Sequence, residues 1–495
     1  MRFEEYRRHD GTGLAAEVAA GHVSAGELLQ LALDRCAAVN PALNAVVIPM
    51  TEIARQRALG PLDGPFAGVP FLIKDIVQDH AGVRSTHGSV AFRHHVAPAH
   101  AHMVERWLAA GLVIFGKTAI PELALKGYTE SRLFGATRNP WDLTRTPGGS
   151  SGGAAAAVAA GIVPMAGAND GGGSIRIPAA FCGLVGLRPG RGRVSVGPAA
   201  AEVWEGASSD GIVCRSIRDA AAMLDVMAGT AAGDPYRVAP PDRPWAEAAR
   251  EVPPRLRIAY STRSPIGTPV APACADAVER TAQTLARLGH EVEQAEPDID
   301  GQALARAFFV MYFGQTAATV ASAVAAGIRA ADFEPDTRAL ALIGDTLSAG
   351  DYVCAHRQWN DFSRALGRFY QRYDLYLTPS VAQPPATVGS QQLPGWQATL
   401  LRPILALGIG RALTASGLVD QMAVQQLARV PFTQLANLTG TPSMTVPLFP
   451  DPQGLPTGVM FNAPMGDEHR LLQIGAQLEA EYPWFDTLPP ECPTP

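Results

Sequence analysis

The sequence predicts an α/β fold in which a central mixed, mostly parallel sheet is covered by helices on both faces, and three observations carry that expectation. Short apolar runs alternate with stretches of helical spacing, the order of elements that builds a sheet through helical crossovers. One such unit is nearly complete: Leu256, Ile258 and Tyr260 alternate as a strand, Ala273 to Leu288 has helical spacing, and Glu291 to Ala295 reads as the next strand. Hydrophobic residues make up 47% of the 495 residues and charged residues 17%, a globular balance able to fill a large core. The length admits one large domain or two to three smaller ones, and residues 1–495 are read as a single large domain.

Taken in order, Ser24 and Glu27 form a capping-box pattern ahead of a helix whose Leu29, Leu33 and Cys36 share a face, with Asn40-Pro41 expected to end it. Val69 to Asp75 is a buried strand that delivers Lys74 at its end. His102 to Ala110 reads as helix and Leu112 to Phe115 as the following strand. Gly152 to Gly161 is so rich in alanine that it should be a closely packed helix, after which Val163 to Ala168 returns to the sheet. Residues 230–255, rich in Pro, Asp and Arg, look like a surface connection. Residues 300–370 read as mostly helical, and 385–430 as a wall or lid over the site. The core of the domain is placed at about 60–220, the substrate-shaping region at about 300–430.

Charge and composition narrow the function. A net charge of −6 leaves no basic footprint for nucleic acid or anionic lipid, so the expected partner is a small molecule or peptide-like substrate, with no nucleic acid and no membrane. A second copy of the chain, as a homodimer, is the one macromolecular partner considered. Six cysteines without CxxC spacing read as thiols of a reducing compartment, and Met1 to Arg8 lacks the apolar core of a signal peptide. A cytoplasmic protein is expected.

The chemistry concentrates between Thr146 and Pro178. Thr146-Pro147-Gly148-Gly149-Ser150-Ser151-Gly152-Gly153 and Asn169-Asp170-Gly171-Gly172-Gly173-Ser174-Ile175-Arg176-Ile177-Pro178 place two serines in glycine-rich settings, separated by one helical segment. Successive N–H groups in such runs converge on an anion, as an oxyanion hole does beside a nucleophile. A serine hydroxyl needs a base, and no histidine lies near either serine in sequence. Lys74 can serve if burial disfavours its charged form.

Lys74-Asp75 after its apolar strand, Gly148 to Gly153 and Asp170 to Pro178 together resemble the amidase signature family of serine hydrolases. Gly183-Leu184-Val185-Gly186-Leu187-Arg188-Pro189, Asp374 to Pro379, Asn437-Leu438-Thr439-Gly440-Thr441-Pro442 and Leu455 to Val459 extend the resemblance over residues 24–480. The resemblance implies the amidase-signature fold and cofactor-free, metal-free hydrolysis of carboxylic amide C–N bonds through an acyl-enzyme. It implies Ser174 as nucleophile, Ser150 as the bridging serine on a cis peptide bond, and Lys74 as base. The N–H groups of Gly171, Gly172, Gly173 and Ser174 would form the oxyanion hole, with Ser151, Asp170 and Arg176 fixing the loop. Gly135 to Trp141 and Asn169-Asp170 are most similar to members that open cyclic amides, so a cyclic or oligomeric amide is the expected substrate; an aryl amide, a urethane or an ester is the alternative. Four positions depart from the family: Gly171 where Thr or Ile is common, Asn169 where Thr is common, Ala119 in place of an asparagine, and Asp210-Gly211-Ile212 where a Gly-Pro pair is usual.

Competing readings remain open at this point. Gly148 to Gly152 fits a G-x-S-x-G elbow with Ser150 as nucleophile and His290, His356 or His469 as base, although Trp141 to Pro147 is a poor strand to precede it. His94, His95, His100 and His102 offer a metal set but read better as a polar loop entering a helix. A non-catalytic or amidotransferase subunit on the same scaffold is opposed by the joint presence of Lys74, Ser150 and Ser174. Tyr128 and Trp141 flank the signature and are candidates to line the pocket.

Overall fold

The computed structural model describes residues 1–392 and 427–490, so most of the 385–430 wall or lid expected from sequence lies outside the described residues. Strands are β1 (Val46–Pro49), β2 (Pro70–Lys74), β3 (Val113–Thr118), β4 (Glu130–Ser131), β5 (Gly135–Ala136), β6 (Met165–Asp170), β7 (Val185–Arg188), β8 (Ser209–Cys214), β9 (Arg257–Tyr260), β10 (Glu291–Gln294), β11 (Leu375–Pro379), β12 (Ser443–Pro447) and β13 (Gly458–Asn462). Eleven of them form one sheet in the order β1-β3-β2-β6-β8-β7-β12-β13-β11-β9-β10, while β4 and β5 pair separately. Parallel pairing occurs at β2–β3, β2–β6, β9–β10 and β9–β11, and the rest of the sheet is antiparallel. The sheet is therefore mixed, with a larger antiparallel share than the alternation of strands and helices implied. Alternation fixes which segments are strands, but their direction is set by which edges meet in space.

Burial explains why β2 reads as an unbroken apolar run. Every residue of Pro70–Lys74 is buried, as expected for a strand covered on both faces. The helix Gly152–Ala159 is equally buried, and its alanines let it approach its neighbours closely. Ser24 caps the helix Ala25–Leu43, its Oγ accepting from Glu27 N–H at 3.2 Å while Glu27 Oε2 accepts from Ser24 N–H at 2.8 Å. That helix does not stop at Asn40-Pro41. It runs on to Leu43 and ends at Asn44 with φ 53°, while Asn40 Oδ1 accepts from the N–H groups of Ala45 and Val46. Pro41 sits in the final turn, where it removes only the last-turn donor to the Ala37 carbonyl.

Two further expectations are refined. Residues 230–255 are not wholly superficial, because Trp245 is buried and the N–H groups of Trp245 and Ala246 are held by the Asp225 carboxylate at 2.8 and 2.9 Å. The 300–370 region consists of the helices Gly301–Ala325, Pro335–Gly344 and Ala349–Phe369. Gly301–Ala325 is long and apolar enough to cross a bilayer by length and composition. Its Phe308, Phe309, Tyr312 and Phe313 are nevertheless buried, and Tyr312 Oη donates to Leu125 O at 2.6 Å.

Candidate active site

β2 ends at Lys74 and β6 ends at Asp170, two sheet neighbours that bring the lysine to the start of the glycine turn. Lys74 is completely buried. Its Nζ donates to Ser150 Oγ at 2.8 Å and to Asn169 O at 3.1 Å. Burial lowers its pKa to about 7 against the opposing fields of Asp210 and Asp170, so near neutral pH about half of it carries a lone pair. Ser150 follows a cis Gly149–Ser150 peptide bond, and Ser151 N–H donates to Ser174 O at 3.3 Å, which sets the two serine segments side by side. Ser151 Oγ bridges the N–H and carbonyl of Asn169, each at 3.3 Å, and so joins the first glycine segment to β6. Ser174 is only partly buried.

The turn after β6 is built around Asp170. Its carboxylate accepts from the N–H groups of Gly173 (2.7 Å) and Ile175 (3.2 Å), from Arg176 Nε and Nη2 (2.9 and 3.0 Å) and from Asn437 Nδ2 (2.9 Å). Burial opposes the charge, yet the Arg176 guanidinium and these donors hold the carboxyl well below the usual range. Arg176 reaches on to Thr433 O at 2.8 Å and Asn437 Oδ1 at 2.7 Å, tying the turn to the far part of the chain.

This arrangement corrects the expected oxyanion hole. The peptide joining Gly172 to Gly173 is occupied at both ends, its N–H by Asp170 and its carbonyl by Thr433 Oγ1 (2.7 Å) and Gln434 Nε2 (3.0 Å). Gly173 N–H is thus bound within the protein and not available to a substrate. Gly173 is instead needed for its φ of 126°, reached without strain only by glycine. Among the described residues, no acceptor takes the N–H groups of Gly171, Gly172 or Ser174.

The departure at Gly171 has a steric cause. A Cβ there would lie 2.9 Å from Trp204 Cε3, so a Thr or Ile side chain is incompatible with the indole in this position. Trp204 and Glu205 both have positive φ (57° and 51°), and the Glu205 carboxylate is held by Tyr352 Oη at 2.5 Å and Gln315 Nε2 at 3.2 Å. Trp204 in turn meets Tyr312 edge to face, with ring centroids 5.9 Å apart.

The remaining candidates fall in different places. Tyr128 lies beside Gly149, where a Cβ would be 2.6 Å from Tyr128 N, and its hydroxyl donates to Gln391 O at 3.2 Å. Trp141 packs at the C-terminal end of the helix Arg176–Cys182, donating from Nε1 to Cys182 O at 2.9 Å, and the structure does not bring it to the serines. Of the histidines considered as bases, His290 accepts from Leu256 N–H at 3.1 Å and faces Gln477, while His356 packs on Trp359. Ser150 meets Lys74. His94 and His95 line a cavity of about 1280 Å³ against Ala318 and Ser322, whereas His102 Nδ1 is 3.1 Å from Ser195 Oγ.

Residues 27–472 match the model of the Amidase family. The chain belongs to that family. The amidase is 34% identical to 6-aminohexanoate-cyclic-dimer hydrolase of Paenarthrobacter ureafaciens over 97% of its own length and 96% of the relative's. The structure of 6-aminohexanoate cyclic dimer hydrolase complexed with substrate superposes with a TM-score of 0.88 at 33% identity, covering 98% of this chain and 99% of that one. A bacterial aryl acylamidase of the amidase signature enzymes superposes with a TM-score of 0.83 at 25% identity, covering 98% and 99%. The amidase is accordingly a hydrolase of amide carbon–nitrogen bonds with the amidase-signature fold.

Three residues of the site escaped the sequence reading. Gln78 carries no motif, and Thr433 lies outside every motif. Asp210 was visible only as a departure from a Gly-Pro pattern. Nothing local marks them, because each acts on residues at least 4 positions away and mostly far more.

Proposed function

We propose that the amidase hydrolyses cyclic or short oligomeric aliphatic amides of the 6-aminohexanoate type through Ser174, Ser150 and Lys74. The observation that carries this reading is the 2.8 Å contact from Lys74 Nζ to Ser150 Oγ, made by a lysine whose pKa burial brings to about 7. Neutral Lys74 takes the Ser150 proton as Ser150 takes that of Ser174, and Ser174 Oγ bonds to the amide carbonyl carbon. Negative charge on the former carbonyl oxygen faces the N–H groups of Gly171, Gly172 and Ser174. Collapse breaks the C–N bond while the proton returns through Ser150 to the leaving amine. In a cyclic amide that amine remains the far end of the acyl chain, and water, activated by the same relay, then hydrolyses the ester to Ser174 and releases the linear product with the amine still attached. The substrate class is supported by resemblance over nearly the whole chain to the cyclic-dimer hydrolase.

A second reading, an aryl-amide hydrolase, is favoured by the indole of Trp204 against Gly171 and by the aryl acylamidase among the structural neighbours. The two are separated by comparing kcat/KM for 6-aminohexanoate cyclic dimer with that for 4-nitroacetanilide. Treatment with a fluorophosphonate followed by peptide mass spectrometry is expected to place the adduct on Ser174. Ser174→Ala is expected to lose the adduct and about four orders of magnitude or more of turnover with its fold intact. An adduct on Ser150, or normal turnover in that variant, would refute the assignment.

A further inference from the structure

Strand β8 places a buried acid beside the lysine. Asp210, 1% exposed, stands opposite Asn169 in the antiparallel β6–β8 ladder, and its Oδ1 accepts from Gln78 Nε2 at 3.1 Å and from Asn169 Nδ2 at 3.4 Å. Gln78 links three strands through one side chain. Its Oε1 accepts the N–H of Lys74 at 2.7 Å, and its Nε2 donates to Ala168 O at 2.9 Å as well as to Asp210. Asn169 repeats the link, accepting from Lys74 Nζ with its carbonyl while its side chain binds Asp210. Lysine and acid are therefore held in one framework made entirely of neutral amides.

The neighbouring charges are matched elsewhere. Asp170 is bound by Arg176. From the segment after β2, Asp75 and Asp79 lie 3.9 and 3.7 Å from Lys117 of β3. His87, which burial lowers to about 4, is neutral at pH 7. Arg188 of β7 donates to the carbonyls of Pro189, Thr441 and Ala207. The Lys74 field lowers the Asp210 carboxyl and that of Asp79 raises it, both after burial and the amide hydrogen bonds.

We propose that Asp210 is a positioning residue of the hydrolysis, the counter-charge that receives the ammonium formed when Lys74 takes the Ser150 proton, and that Gln78 transmits its hold to the Lys74 backbone. The inference rests on Lys74 being the base. Asp210 exerts the larger of the two carboxylate fields on the lysine, ahead of the Asp170 already matched by Arg176, so without Asp210 the buried ammonium is less favoured and the first proton transfer steeper. With it, the relay converts a neutral amine beside a carboxylate into an ion pair, and the return of the proton to the leaving amine restores the starting state. Burial pushes the Asp210 carboxyl up to about 6, still below the lysine, so the acid is charged where the enzyme has a neutral base.

Asp210→Asn tests this directly, since an amide oxygen still accepts from Gln78 and Asn169. The probes are 4-nitroacetanilide and 6-aminohexanoate cyclic dimer, with kcat/KM measured from pH 5 to pH 9. Removing the carboxylate takes away a field that raises the Lys74 pKa, so the acidic limb is expected to move to lower pH by about one unit. At the plateau kcat is expected to fall about tenfold or more with little change in KM, because the lost interaction exists only after proton transfer. A limb superimposable on that of the wild type, at any rate, overturns the proposal and leaves Asp210 a packing residue. Should Asp210→Asn not fold, the pH dependence of fluorophosphonate labelling is compared in Asp210→Glu and Asp210→Ser. The first is expected to keep the wild-type limb and the second to lower it, and equal limbs overturn the idea. If Lys74→Met retains the wild-type limb, the base assignment itself has failed; if only Asp210→Asn leaves it unmoved, the base stands and the counter-charge falls.

Discussion

Two buried aspartates near the C-terminal end of β6 are treated in opposite ways. Asp170 is surrounded by a guanidinium, two backbone N–H groups and an asparagine amide, and its carboxyl stays far below the ordinary range. Asp210, across the ladder, meets only neutral amides and is pushed up to about 6. The first is a fixed charge that shapes the Gly171 to Ser174 turn. The second remains able to respond to a proton arriving on Lys74. A buried acid with its own cation acts as scaffold, and one without a cation becomes part of the titration of its neighbour.

The comparison can be broken at its chemical side with the largest effect. Lys74→Met is expected to lower kcat/KM by about 10²- to 10⁴-fold. In the wild type, Lys74 is protonated as pH falls through about 7, so activity is expected to drop on that side. In the variant the residual rate is expected to lose this limb, as pH-rate profiles on 4-nitroacetanilide will check. An unchanged profile places the base elsewhere.

Breaking the structural side comes next. Arg176→Met leaves Asp170 buried without its cation and is expected to destabilise the fold by about 3–5 kcal/mol, measured by denaturant unfolding. The sign with pH also follows. A carboxyl depressed in the folded state contributes stability above its unfolded pKa that is lost as pH falls through the folded one. The wild type should therefore resist acid through this group, and the variant should unfold at higher pH. Equal acid midpoints for the two proteins would remove Asp170–Arg176 from the account.

The smallest effect is expected away from both acids. Trp141→Phe deletes the hydrogen bond to Cys182 O and should cost about 1 kcal/mol of stability. Its kcat/KM is expected to stay within about twofold of the wild type, as for a change remote from the reacting groups. A tenfold change in KM would show that the indole shapes the substrate pocket after all.

Much of this was legible in the residues. The strand carrying Lys74, the alanine helix, the two serine segments and the βαβ unit at 256–295 all stand close to where periodicity and glycine spacing put them. The reading failed where an outcome depended on contacts distant in sequence. Asn40-Pro41 looks like a helix end, yet the chain turns only at Asn44. Gly173 looks like an oxyanion donor, yet its N–H is turned to the Asp170 carboxylate, which Asn437 holds from 267 residues farther along the chain. Trp141 borders the signature in sequence but packs at the opposite end of the helix that follows Ser174.

What the sequence determined by itself is the local chemistry: which backbone can take a glycine conformation, which strand is apolar enough to be buried, and which hydroxyls and amine are present. These depend on neighbours along the chain and survive in any tertiary setting. Only the folded structure decided the charge states. Desolvation and the placement of Asn169 opposite Asp210, with Gln78 spanning three strands, are properties of packing. They bring the Lys74 amine to about 7 and the Asp210 carboxyl up to about 6, while Arg176 keeps Asp170 an anion, because the energy of a charge depends on what surrounds it in space and not on its place in the chain.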